Sequence, residues 1–182
     1  EIILSYEKVL KFWFEELSPR EWFEISPELD QNITSLFSEL LVSASYGELF
    51  HWRNEPLGRL AEVIVLDQFS RNIYRGTEQS FAQDTMALTL AQESVSAKAD
   101  LDLSIIQKLF LYMPYMHSES LLIHTEAVKL FSQKGLENNL DFEIKHKEII
   151  EKFNRYPHRN KILKRESTTD ELEFLNTPNS SF

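Results

Sequence analysis

Two Arg-Asn pairs anchor the chemistry-bearing residues of this chain. Phe69-Ser-Arg71-Asn72-Ile-Tyr-Arg75-Gly-Thr77 and Pro157-His-Arg159-Asn160-Lys-Ile-Leu-Lys-Arg165-Glu-Ser-Thr168 each follow an apolar run, add a second Arg and end on a Thr able to cap a helix. Guanidinium groups are planar, forked donors, which is what bidentate recognition of carboxylate or phosphate needs. Asp67, Arg71 and Arg75 recur every four residues, so they project from one side of a helix and its end, with Gln68 and Asn72 beside them. Arg155, His158, Arg159, Asn160 and Arg165 surround the second pair. If the two turns face one cavity, they form a polar pocket for a small anionic ligand or an acidic peptide end. The competing reading is structural: Asp67 bridging an Arg, with Arg and Asn capping helix carbonyls, would make both turns clamps at helix corners.

Histidine supplies the catalytic alternative. His117 or His158 would move protons in a small-molecule hydrolase or transferase, with Glu119 orienting a ring and the arginines holding the substrate. His146 falls on an apolar face, where a hydrogen-bonded core histidine is the usual outcome, and His51 and His124 have no evident partner in sequence. No Ser-His-Asp order, nucleophile elbow, glycine-rich phosphate loop or dinucleotide fingerprint occurs, so no cofactor is expected. His117, Glu119, His146 and His158 could ligate a metal chemically. They lack the His-Glu-x-x-His spacing, and no metal site is expected.

Charge narrows the partners. The 182 residues carry a formal −10, yet residues 145 to 165 hold eight Lys/Arg against Glu148 and Glu151, a local +6 that leaves −16 on the rest. A basic patch on an acidic body concentrates small anions and repels long polyanions, so nucleic acid is not an expected partner. No apolar run is long enough to cross a bilayer, and no membrane partner is expected. The absence of cysteine removes disulfides and thiolate chemistry and fits a cytoplasmic location. Numbering starts at Glu1 rather than Met, which leaves room for a preceding leader.

The elements that must position these residues read as helices. Four glycines, six prolines and thirteen phenylalanines in one domain-sized chain give few turns and many large apolar side chains. Tyr6, Val9, Leu10, Trp13, Phe14 and Leu17 step by three and four, predicting a helix that ends before Pro19. Ser26 and Pro27 cap and start a second, running through Leu29, Ile33, Phe37 and Leu41 to Gly47. Residues 57–69 are apolar on nearly every side and predict a central helix. A fourth helix opens at Thr77 with Phe81, Thr85, Leu88 and Val95 inward, and a fifth carries Ile105, Ile106, Leu109 and Phe110 until Pro114 ends it. Ser118 caps a sixth with Leu121, Leu122, Val128 and Phe131. The seventh, about 141–154, turns Phe142, His146, Ile149, Ile150 and Phe153 to one face. A short last helix follows Thr168, whose spacing to Glu171 is that of a capping box, and the tail after it reads as frayed. The expectation is a single all-α domain over 1–182, with seven to eight helices in stacked hairpins. The 88-residue offset of the Arg-Asn pairs is compatible with an internal duplication of about 5–90 and 91–175.

Several longer strings resemble a known bacterial family, the domain of unknown function 924. They are Val9-Leu-Lys-Phe-Trp-Phe14, Gly47-Glu-Leu with Trp52, Leu66-Asp67-Gln68-Phe69-Ser-Arg71-Asn72-Ile-Tyr-Arg75-Gly76-Thr77, Pro114-Tyr-Met-His117-Ser118-Glu119, and Phe153-Asn-Arg155-Tyr-Pro157-His158-Arg159-Asn160. The resemblance covers about residues 8 to 175. It implies a tetratricopeptide-like α-α superhelix and brings no established activity. Asn154 and Lys164 stand where the family has glycine, Ser70 where it has proline, and Met116 and Lys11 where it has acids.

Overall fold

The computed structural model describes residues 5–182, and among these every regular element is helical. The apolar run from Tyr6 folds as α1 (Tyr6–Lys11) and widens into a π turn over Phe12–Glu16 before Pro19. Ser26 accepts the Leu29 N–H at 3.2 Å, Pro27 takes the first helical position, and α2 (Pro27–Ser45) follows as predicted. The apolar stretch is α3 (Pro56–Ile64), a second π turn over Val65–Phe69, and α4 (Ser70–Ile73). Next come α5 (Asp84–Ser96), α6 (Ile105–His117), α7 (Leu121–Phe131), α8 (Glu137–Phe153) and α9 (Thr169–Leu175).

Contacts gather the chain into two compact units. One comprises the chain to Arg75 with Gln79–Pro114; the other comprises Gly76–Glu78 with Tyr115–Phe182.

In the first unit, α3 and its π continuation are the core. Leu60, Ala61, Val63, Ile64, Val65, Leu66 and Phe69 are fully buried, with α1 and α5 packed on α3 and α2 on the π turn and α4. Each large apolar side chain among them contributes about 1.5–3 kcal/mol relative to exposure. Phe37 stacks on Phe69 at 4.7 Å, and Phe12 and Trp13 meet Phe69 edge-on. The fourth helix departs from expectation. Glu78–Phe81 is a 3-10 turn, and α5 buries Ala87, Ala91 and Ser94 while Thr85 is exposed. Small side chains let α5 approach α3 closely, so bulk was a poor guide to its inner face. In α6, Leu109 and Phe110 are buried as expected, but Ile105 and Ile106 are 40% and 38% exposed. Pro114 lies inside the helix rather than ending it, at the loss of one backbone hydrogen bond.

In the second unit, α7 and α8 form a helical hairpin. Its inner faces differ from the apolar stripes. Leu121, Leu122 and Phe142 are exposed, while His124, Ala127 and Phe131 of α7 and Glu143, His146 and Ile150 of α8 are buried. The reason is a polar pair described below, which claims the centre of the hairpin. The N-cap of α7 is Ser120; Ser118 instead accepts the Ser120 N–H at 3.1 Å. Asn154 caps α8 at φ 58°, and Lys164 has φ 55°, a left-handed backbone that glycine adopts without strain. Thr168 and Glu171 form the predicted capping box at α9. The segment beyond α9 folds back: Ser180 is buried, and its hydroxyl donates to Leu175 O at 3.2 Å.

Candidate functional site

The first Arg-Asn turn sits at the end of α4, and acids of its own unit meet its cations. Arg71 donates two bonds to Asp84, at 2.8 and 3.0 Å, and one to the Asp67 carbonyl at 3.1 Å, with Asp67 Oδ1 at 3.4 Å. Asp67 is fully buried and accepts from Gln68 Nε2 at 2.8 Å. Arg75 forks onto Asp30 at 2.7 and 3.0 Å, and Asn72 donates to the same carboxylate at 2.9 Å. The sequence-predicted residues of this turn are therefore neighbours, and Asp30 and Asp84, which sequence reasoning missed, bind them to α2 and α5. Asp30 lies 45 residues from Arg75, a separation that leaves no local signature.

The second turn is organised the same way. Arg155 forks onto Glu171, 2.7 and 2.8 Å, and donates to Glu166 O at 2.7 Å. These bonds, with the Thr168 N–H and Asn160, hold the Glu171 carboxyl down to about 2 against the opposing effect of burial. Arg165 forks onto Glu119 at 2.9 and 3.0 Å and also donates to Asn160 Oδ1 and Tyr156 O. Burial opposes ionisation of Glu119, but Arg165, the Tyr156 N–H at 2.6 Å and the charge of Arg159 keep its carboxyl below the usual range. Arg159 is 5% exposed, donates to His117 O at 2.9 Å and lies over the Tyr156 ring at 4.8 Å.

Around Tyr156 the second unit gathers four of the chain's five histidines. His146 Nδ1 is 2.6 Å from Phe142 O, an acceptor only, so that nitrogen carries a proton and Nε2 of the neutral ring keeps its lone pair. Burial pushes the His146 imidazole down to about 4, and the nearby His117, His124 and His158 add to the effect. His158 lies 5.7 Å from the Tyr156 ring, and His117 and His158 are both half-buried, so the cluster meets solvent. The predicted residues His117, Glu119, His146, His158 and Arg159 thus come together.

Sequence reasoning missed what stands behind them. Tyr156 is fully buried; its hydroxyl donates to Met116 O at 2.6 Å and lies 3.1 Å from His124 Nε2. His124 Nδ1 meets Glu143 Oε1 at 2.5 Å. The signal that could have found them is the helical step His124–Ala127–Phe131, which puts the histidine on the inner face of α7. No group of three or more His, Asp or Glu with metal-binding geometry occurs among the described residues. A groove of about 300 Å³ lined by Tyr6, Leu10, Phe14 and Leu57 lies in the first unit and involves none of the predicted site residues.

These features define an all-α protein whose second unit carries a histidine cluster around a buried tyrosine. Residues 9–179 match the family described as bacterial protein of unknown function (DUF924), and the chain belongs to that family. It is similar to a solved structure, the protein of unknown function ATU0120 from Agrobacterium tumefaciens, with 32% identity over 94% of this chain and 96% of that one and a TM-score of 0.90. Comparison with curated proteins gives no match. Among the described residues no helix is long and apolar enough to cross a membrane.

Proposed function

We propose that the protein is a binding module for a small anionic ligand, a carboxylate or phosphate, on a tetratricopeptide-like stack of helical hairpins. The ligand site is the His117, His146, His158 and Arg159 cluster. The observation that carries this reading is the gathering of Arg159 and three histidines about Tyr156. Arg159 lies over the Tyr156 ring, donates to His117 O at 2.9 Å and stands 4.0 Å from Glu119, and His146 and His158 pack against the same ring. A buried cation beside imidazole rings, two of them half-buried, favours a small negative group. Arg71, Arg75, Arg155 and Arg165, each forked onto an acid, serve as clamps that hold the helices, with Asn72 and Asn160 beside them.

A hydrolase or transferase is the second reading, favoured by one specific feature. A histidine kept neutral near pH 7 with Nδ1 spent on a carbonyl is the state a general base requires, and His146 is in it. Thermal-shift titration with phosphate and acetate tests the binding reading. Stabilisation in the wild type that Arg159→Lys abolishes, while that variant keeps its own melting temperature, supports it. Turnover of an ester or phosphoester lost in His146→Asn supports the enzyme instead. No shift with any anion in the wild type ends the binding reading.

A further inference from the structure

The groove of about 300 Å³ in the first unit has a floor of Tyr6, Leu10 and Phe14, from α1 and its π turn, flanked by Leu57 of α3. Its rim alternates in charge. Glu7, Lys11 and Glu15 line the same groove at four-residue spacing and read acid, base, acid over no more than about 12 Å of helix. All three are exposed, and no ion pair among the described residues engages them. In the second unit α8 carries the reciprocal row. Lys145, Glu148 and Lys152 are exposed, fall within about 60° of one another around the helix, and read base, acid, base over about 10 Å. They too are outside any ion pair of the described residues, because Lys147 and Glu151 pair on another side of the helix. Beside this row stands an apolar stripe. Phe142 is 56% exposed, with the Lys145 ammonium 5.6 Å from its ring centroid, and Ile149 follows two turns on, half-buried.

We propose that the groove of one copy of this chain receives the outer face of α8 of a second copy, with Phe142 and Ile149 seated on the apolar floor and the two charge rows paired along the rim. Apolar anchors on one helix face entering a groove are a recurrent mode of helix recognition. Charge selects this occupant. The two rows are opposite in sign at each position whichever way the helix runs, and the wider fields agree: the first unit holds seventeen Asp/Glu against nine Lys/Arg, while residues 145 to 165 carry +6. Because groove and α8 face are different surfaces, the contact is head-to-tail, and a dimer still presents one unused groove and one unused α8 face. Association therefore extends with concentration. One helix in one groove is a small interface, so the expected Kd is about 10–100 µM and rises with salt. No residue of the histidine cluster takes part, and the contact stands apart from the anion-binding reading above.

Sedimentation velocity on the full chain, from about 5 to about 500 µM in low and in high salt, tests this. The expected result is a sedimentation coefficient that rises with concentration in low salt, with association about tenfold or more weaker at high salt. Two charge-reversed proteins, Glu7→Lys with Glu15→Lys and Lys145→Glu with Lys152→Glu, change only exposed positions and should keep the melting temperature of the wild type. Each alone should sediment as a monomer. Mixing the two should restore association, because the reversed groove then meets a reversed α8 face. Carbodiimide cross-linking of isotope-labelled with unlabelled wild type should join Glu7 or Glu15 of one copy to Lys145 or Lys152 of another. A wild type that stays monomeric at every concentration in low salt would overturn the proposal and leave the groove to an occupant other than this chain. Association that both charge-reversed proteins retain, or that mixing fails to restore, would overturn it as well by placing the contact elsewhere. Anion binding is decided separately by the phosphate and acetate titrations, so the two readings fail independently.

Discussion

His124 and Glu143, on facing helices of the α7–α8 hairpin, are joined by a short hydrogen bond inside the second unit. Nδ1 to Oε1 is 2.5 Å, and both side chains are fully buried. His124 Nε2 lies 2.6 Å from Ser118 O, which can only accept, so that nitrogen bears hydrogen; the Nδ1 contact requires a second proton between the partners. Whichever partner holds it, the pair is neutral overall. Burial pushes the Glu143 carboxyl up, opposed by His124 and Lys147, and Oε2 has no hydrogen-bond partner.

Glu143→Gln preserves this bonding with neutral groups, because the amide donates to Nδ1 of a neutral ring. It should cost about 1 kcal/mol or less in urea unfolding. His124→Leu leaves the carboxyl buried without its partner and should cost about 3–5 kcal/mol. Equal losses in the two variants would refute the shared proton. A strongly downfield proton resonance present in the wild type and absent in Glu143→Gln gives an independent check.

The His146 ring makes acid stability diagnostic. Its folded pKa, about 4, lies below the unfolded 6.5, so above pH 6.5 neither state binds the proton and nothing is lost. As pH falls below 6.5 the unfolded chain protonates first, and stability drops until the folded ring also titrates near 4. A shift of that size corresponds to about 3 kcal/mol. Glu143 acts with the opposite sign, since its raised carboxyl favours the folded state at low pH and that contribution fades as pH rises through the folded value. His146→Gln should therefore gain on the wild type by about 3 kcal/mol between pH 7 and pH 4 in chemical unfolding. Parallel stability curves would show that the ring titrates normally.

How much of this was legible in the sequence follows from the range of each interaction. The Ser26 cap and the Thr168–Glu171 capping box are local, three residues apart, and both were readable. The all-α class and the apolar 57–69 helix were equally plain, because helical periodicity needs no partner to be seen. What the sequence withheld is long-range and polar: Asp30 for Arg75, Asp84 for Arg71, Glu143 for His124. Periodicity counts apolar residues, so it placed Phe142 inside and passed over its neighbour Glu143, although the buried face of α8 carries a carboxyl hydrogen-bonded to a histidine of α7. The segment after α9 read as frayed because nothing local marks a ring that packs 36 residues back on His146.

A second buried charge gives a sharper energetic contrast. Glu62 is fully buried on α3 and accepts a fork from Arg53, at 2.7 and 2.8 Å, while the Arg53 side chain remains 31% exposed. Removing the cation strands the carboxylate, so Arg53→Ala should destabilise by about 3–5 kcal/mol. Replacing both partners, Arg53→Leu with Glu62→Met, should recover most of that loss, since two apolar side chains leave no charge behind. A double variant as unstable as Arg53→Ala would mean that the pair, rather than the stranded charge, carries the energy.

Gly58 tests close packing against helix propensity. It lies in the first turn of α3, where alanine ordinarily improves a helix by about 1 kcal/mol. A Cβ there would stand 2.0 Å from Trp52 O and 2.8 Å from Trp52 C, backbone atoms that cannot rotate away. The steric effect should dominate, because α3 would have to leave the 3-10 turn that carries the buried Trp52, and the expected loss is about 3 kcal/mol or more. Gly76 is the control. Its φ is 79° and a Cβ there would meet nothing within 4 Å, so Gly76→Ala incurs only left-handed backbone strain of about 1–2 kcal/mol. Thermal melts of the two alanine variants should separate clearly, Gly58→Ala falling further; the reverse order would mean that α3 can slide away from Trp52 and that its fully buried residues tolerate the move.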